Sequence, residues 1–107
     1  MSILSITFHC EEHSLELWEN YKKERLYPLS EKIPHLKYFI FSEVESHHLQ
    51  EGKNTNFLLI FADENQRQAF MENELTYITE AISEEFGERV LTFVTLLNPT
   101  KSNLAIG

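Results

Sequence analysis

The sequence predicts an α+β protein built on one antiparallel sheet, and three observations carry that reading. Two runs rich in aromatic and β-branched residues, 36–46 and 55–62, stand next to each other with only a polar, glycine-containing connection between them. A further strand-like segment lies near each end, at 3–9 and 88–97. The two stretches between the outer strands and the central pair carry apolar residues at helical spacing.

Each element has its own physical reason. In ILSITFH, residues 3–9, Leu4, Ile6 and Phe8 alternate with Ser5, Thr7 and His9, the period of a half-buried strand, β1. Ser14 is placed to cap a helix in which Leu15, Trp18, Tyr21 or Lys22, and Arg25 or Leu26 recur at helical spacing. Proline disfavours α geometry in the residue before it, so Pro28 predicts a helix end or kink near Tyr27, with 28–33 as a short extra turn stopped by Pro34. Residues 36–46 and 55–62 form a hairpin, β2 and β3, joined through HHLQEGKN. Asp63, with Gln66 three residues on, resembles a capping box and opens a second helical region. Leu75, Ile78, Ile82 and Phe86 make its later stripe, which does not join smoothly to Ala69 and Phe70, so a kink is expected near Asn73 and Glu74. Gly87 sits where a left-handed C-terminal cap belongs, and ERVLTFVTLL, residues 88–97, makes β4.

The order β-α-β-β-α-β is that of a ferredoxin-like domain. Right-handed crossovers place the strands as 4-1-3-2, fully antiparallel, with both helical regions on one face. At 107 residues the chain is expected to be one such domain over 1–107 with a single core. A sheet covered on one side only should be polar at every second position. Here Tyr38 and Ile40 oppose Phe39 and Phe41, Leu58 and Ile60 oppose Phe57, Leu59 and Phe61, and Val90, Val94 and Leu96 oppose Leu91, Phe93 and Leu97. Two helical regions cover one face, so the other calls for a partner, and a second copy of the same sheet is the economical one. A homodimer packed sheet to sheet is the expectation. The tail NPTKSNLAIG, residues 98–107, has no room for an element of its own, and Leu104 and Ile106 are expected to pack on the body or on the dimer partner.

Composition narrows the function classes. A formal net charge of −8, from 17 acidic and 9 basic side chains, repels a phosphate backbone, and Lys22, Lys23 and Arg25 are the only dense basic cluster. No nucleic-acid partner is expected. The single Cys10 cannot form an intrachain disulfide, MSILSITF lacks the features of a signal peptide, and no apolar run approaches the ~20 residues needed to span a bilayer. A cytoplasmic protein without a membrane partner is the expectation.

Trp18, Tyr21 and Tyr27-Pro28 following ILSITF, together with FGERVLTFVTLL near the end, resemble a bacterial family designated domain of unknown function 4286 (DUF4286). The likeness spans about residues 3–97. That family is similar to the dimeric α+β barrel group, which includes antibiotic biosynthesis monooxygenases, muconolactone isomerase-like proteins and stress-responsive barrels. The resemblance implies a ferredoxin-like protomer and a sheet-to-sheet dimer; it implies no activity. Relatives often carry a histidine before the Ile-Pro that follows the tryptophan helix, whereas Leu26 stands ahead of Tyr27-Pro28 here, so a polar group that could serve a pocket is absent at that point.

Four features compete to carry chemistry. His9, Cys10, Glu11, Glu12 and His13 spell H-x-x-E-H, the inverted zinc-peptidase signature, which needs both histidines on one helical face. Here one ends a strand and the other precedes a helix, so a strand-to-helix junction is the better reading, and neither metal nor cofactor is expected. His47 and His48 among glutamates in EVESHHLQE read as a solvated hairpin loop. Cys10, on the apolar face after Phe8, reads as a small buried hydrophobe. The ligand-pocket candidates are His9, Trp18, Tyr21 and Tyr38: aromatic walls with a few polar groups suit a small apolar or aromatic ligand, although core packing explains Trp18 and Tyr21 as well. His9 is the one side chain of the set suited to acid-base work near neutrality. The expectation is a homodimeric small-molecule-binding or structural barrel protein without catalysis; the alternative is a cofactor-independent monooxygenase- or isomerase-like enzyme acting on a small aromatic or apolar substrate.

Overall fold

The structure, a computed structural model of the chain, describes residues 1–45 and 51–105. Its four strands are β1 (Ser2–Cys10), β2 (Leu36–Glu43), β3 (Lys53–Phe61) and β4 (Val90–Leu97). They pair antiparallel in the order β2-β3-β1-β4, the ferredoxin-like arrangement that the element order implies. The helices are α1 (Leu15–Tyr21), α2 (Tyr27–Ser30), α3 (Glu64–Glu72) and α4 (Glu74–Phe86). No described helix is long and apolar enough to cross a membrane.

The core lies between the helices and one face of the sheet. Alternate residues of the central strands, Leu4, Ile6 and Phe8 from β1 with Phe57, Leu59 and Phe61 from β3, are completely buried. Trp18, Leu26, Phe70, Ile78, Ile82 and Phe86 meet them from the helical side. Both ends of this layer are tied by buried cations. Arg67 donates from Nη1 to the carbonyls of Ile3 (3.0 Å) and Leu97 (3.1 Å), so one side chain fastens β1 to β4. Lys22 donates to the Thr55 hydroxyl (3.2 Å) and pairs with Glu19 (2.9 Å), fixing the first helical run to β3.

The first helical run is expected to end or kink near Tyr27. It does not end at Tyr27; it continues from Leu15 to Ser30 through a π-helical turn over Lys22–Leu26. The Tyr27 amide bonds back five residues to the Lys22 carbonyl, and Tyr27 keeps α geometry at φ −63, ψ −46 despite the proline that follows. The π-turn widens the backbone just ahead of Pro28, where the ring would otherwise clash with a carbonyl of the preceding turn. Ser14 is not a side-chain cap either. A short 3₁₀ turn, Glu12–Ser14, precedes α1, and the Ser14 hydroxyl donates to Glu11 instead (3.2 Å).

Elsewhere the local signals hold. The Asp63 carboxylate accepts from the Gln66 amide at 2.9 Å, and the helix breaks at Asn73, φ −114, ψ −81. Gly87 follows α4 with φ +57 but ψ −130, a region only glycine enters comfortably, in place of the left-handed helical geometry expected. Gly52 is also required: at φ +81, a Cβ there would stand 2.1 Å from the Cys10 carbonyl oxygen. The His47-His48 segment and Ile106 lie outside the described residues. Tail residues 98–105 are all exposed, Leu104 at 52 %.

Candidate functional site: the outer face of the sheet

The four pocket candidates fall into two separate places. Trp18 is fully buried, with ring centroids 5.4 Å from Phe8, 5.6 Å from Phe86 and 5.9 Å from Tyr21, and it fills the layer between helices and sheet. Its indole N–H has no hydrogen-bond partner among the described residues. Tyr21 stacks on it and also lines an open groove of about 1060 Å³ between the first helical run and α4, which Leu17, Arg25, Tyr77 and Glu85 share. Burial raises the Tyr21 hydroxyl pKa, with Tyr77 adding to the effect. His9 and Tyr38 lie on the other side of the sheet. The expected convergence of all four on one cavity therefore does not occur: strand alternation sends His9 and Tyr38 away from the helices that carry Trp18 and Tyr21.

Strand register arranges the outer face in rows. At one end Tyr38, Ile60, Ile3 and Leu97 stand side by side; next come Ile40, Leu58, Ser5 and Thr95; then Ser42, Asn56, Thr7 and Phe93; and finally Asn54, His9 and Leu91. None of these side chains is charged. The rim residues are the most exposed, Tyr38 at 53 %, Ile40 at 52 % and Phe93 at 56 %, while Ser5, Thr7, His9, Asn54 and Asn56 in the middle are only half-exposed.

The central groups are held by one another. Asn56 donates from Nδ2 to the hydroxyls of Ser5 (2.8 Å) and Thr7 (3.2 Å) and to the Ile6 carbonyl (3.4 Å). His9 Nδ1 lies 2.6 Å from Asn54 Oδ1, and an amide oxygen only accepts, so Nδ1 carries the proton. That leaves Nε2 without a partner among the described residues, and the arrangement can present both donors and acceptors to an uncharged molecule. Sequence reasoning missed Asn54 and Asn56. Their spacing of two, flanking Thr55, was the available signal, but only pairing with β1 reveals that they meet His9 and Thr7.

The remaining motif residues are scattered by the fold. Within His9–His13, His9 ends β1 on the outer face, Cys10 points into the core, and His13 lies in the 3₁₀ turn. Among the described residues, no group of three or more His, Cys, Asp or Glu side chains comes together as a metal site would. Burial, reinforced by Glu11, pushes the Cys10 thiol up to about 11, so it is neutral at ordinary pH.

Solved structures with the same fold include HapK from Hahella chejuensis, 13% identical with a TM-score of 0.66 over 100% of both chains. An ethyl tert-butyl ether d (ethd) family protein from Bacillus halodurans matches at 13% identity and TM-score 0.63, over 89% of this chain and 97% of that one. A candidate antibiotic biosynthesis monooxygenase from Bacillus cereus matches at 13% and 0.59, over 99% and 97%. At that identity the likeness is one of fold. No curated protein matches the chain. Its sequence does match the domain of unknown function DUF4286 over residues 1–100, nearly its whole length, and the chain belongs to that family.

Proposed function

We propose that the chain acts as a homodimer, closed sheet to sheet into an α+β barrel, and that it binds a small molecule without transforming it. One observation supports this above the others. A quarter of the sequence is charged (24%), yet the four rows of the outer sheet face contain no Asp, Glu, Lys or Arg among the described residues. Two copies that each carry a net charge of −8 repel one another over most approaches, and an uncharged face is where they meet at least cost. Four strands about 4.8 Å apart and some eight residues long cover roughly 500 Å² in plan. Corrugated by side chains, that approaches the ~800 Å² per partner of an ordinary stable interface.

Binding is favoured over catalysis because, among the described residues, Trp18 and its aromatic neighbours occupy the helix–sheet layer in which a substrate cavity was expected. A second reading, a cofactor-independent monooxygenase- or isomerase-like enzyme, draws support from the Bacillus cereus relative in fold and from the Nε2 of His9, which has no partner among the described residues.

Sedimentation equilibrium of wild type and Leu58→Glu tests the assembly. The wild type sediments as a dimer at micromolar concentration, while the variant, which places a carboxylate on each side of the interface, dissociates at least about a hundredfold more readily. Tyr77→Glu, on the helical side, leaves the dimer unchanged. A wild type that sediments as a monomer sinks the proposal.

A further inference from the structure

Resting on the sheet-to-sheet dimer, we infer that the polar rows at the centre of the outer face form, together with their copies on the partner, an enclosed binding site for an uncharged aromatic molecule that carries hydrogen-bonding groups. Relief is the first argument. The rim residues Tyr38, Ile40, Phe93 and Leu97 are large and exposed, whereas Ser5, Thr7 and Asn56 between them are short and half-buried. Face-to-face sheets sit about 10 Å apart, a distance that interdigitating large side chains fill and short ones do not. When two such faces close, the rims touch and a gap remains over the centre.

The second argument is hydrogen-bond accounting. The internal bonds use the Asn56 amide hydrogens, the hydroxyl lone pairs they reach, and the His9 Nδ1 hydrogen. Among the described residues, the hydroxyl hydrogens of Ser5 and Thr7, the Asn54 amide hydrogens, Asn56 Oδ1 and His9 Nε2 are still unspent. Burying such groups unpaired is costly, because each loses its bonds to water without replacement. A surface meant only for dimerisation would avoid that cost with valine or leucine at these positions, as the same face does at Leu58 and Ile60. Donors and acceptors fixed in advance by their neighbours are instead what orients a ligand.

The chemistry of that ligand follows from what lines the site. With no charged side chain in the rows among the described residues, an ion would enter without a counter-charge, so the molecule is neutral. Phe93 stands beside Thr7 and offers a ring for an aromatic body, while the polar floor takes its hydroxyl or carbonyl groups.

Equilibrium dialysis with 2-naphthol, and with naphthalene-2-sulfonate as the charged counterpart, tests this on the full-length dimer. 2-Naphthol binds saturably and the sulfonate at least about tenfold more weakly. Thr7→Val with Asn56→Leu remains dimeric and loses about tenfold in naphthol affinity, the size expected when one or two net hydrogen bonds disappear. Ser5→Ala gives a smaller loss, and Tyr77→Ala, in the groove between the helices, gives none. A wild-type dimer that takes up no naphthol overturns the site and leaves the dimer standing. So does binding that survives Thr7→Val with Asn56→Leu but is lost in Tyr77→Ala, which moves the ligand to the helical groove. If Thr7→Val with Asn56→Leu falls apart into monomers, the polar rows pair protomers and hold no ligand; a monomeric wild type removes the dimer reading itself.

Discussion

The two faces of β1 and β3 share a backbone and differ in nearly everything else. On the helical side Leu4, Ile6, Phe57 and Leu59 are fully buried in an aromatic and aliphatic core. On the opposite side, one residue along, Ser5, Thr7, Asn56 and Leu58 are half-exposed and uncharged. The inner face is complete within one chain, whereas the outer face has the lack of charge of an interior without a cover. The contrast teaches that an unfinished surface is recognised less by its apolar content, which is high on most protein surfaces, than by the absence of the charges that normally keep it in water.

Truncating neighbouring leucines on β3 separates the faces most strongly. Leu59→Ala opens a cavity in the core and lowers unfolding stability by about 3–4 kcal/mol, whereas Leu58→Ala costs under ~1 kcal/mol in the isolated protomer and acts mainly on the dimer. Urea titration above and below the dimer dissociation constant distinguishes the two. Equal losses in the protomer would show that the outer face is also packed within one chain.

Cys10 tests how well the inner face excludes water. With its thiol raised from 9.0 to about 11, the folded state holds a proton that the unfolded chain releases. Stability is therefore fully present below pH 9 and falls as pH rises from 9 towards 11, the sign required when the unfolded state binds fewer protons. Cys10→Ala flattens that alkaline decline. At pH 8, iodoacetamide modifies Cys10 no faster than the protein opens; rapid alkylation would mean that the end of β1 is not sealed.

The smallest effect concerns β4, where even the helix-side residues Val94 and Leu96 are exposed, at 39 % and 45 %. We propose that the tail after β4 contributes to the interface with the partner, since tail residues 98–105 are exposed and leave Leu104 uncovered by their own chain. Deleting residues 98–107 then weakens the dimer about tenfold, close to 1.4 kcal/mol, without changing protomer stability. An unaltered dissociation constant would assign the tail no part in assembly.

How much of this was legible beforehand depended on the range of the physics. Strand and helix periodicity, the Asp63 cap and the break at Asn73 are local, so residues a few positions apart announced them. The π-turn that carries the first helix through Pro28 was not legible, because it is a change of hydrogen-bond register that leaves the apolar spacing almost unaltered. Lys22 shows the limit from another side: at helical spacing it competes with Tyr21 for the inner position, and it is Thr55, thirty-three residues away, with Glu19 and the Trp18 ring, that makes burial of its ammonium tolerable.

The candidate site divides in the same way. That Ser5, Thr7 and His9 share one face of β1, opposite Leu4, Ile6 and Phe8, was fixed by a period of two. That this face is the one away from the helices, that Asn54 and Asn56 meet it, and that Trp18 and Tyr21 belong to a different layer were decided by tertiary structure alone. Pairing between strands fifty residues apart depends on register, and register is set by the summed burial of the whole sheet, a sum that no short stretch of the chain contains.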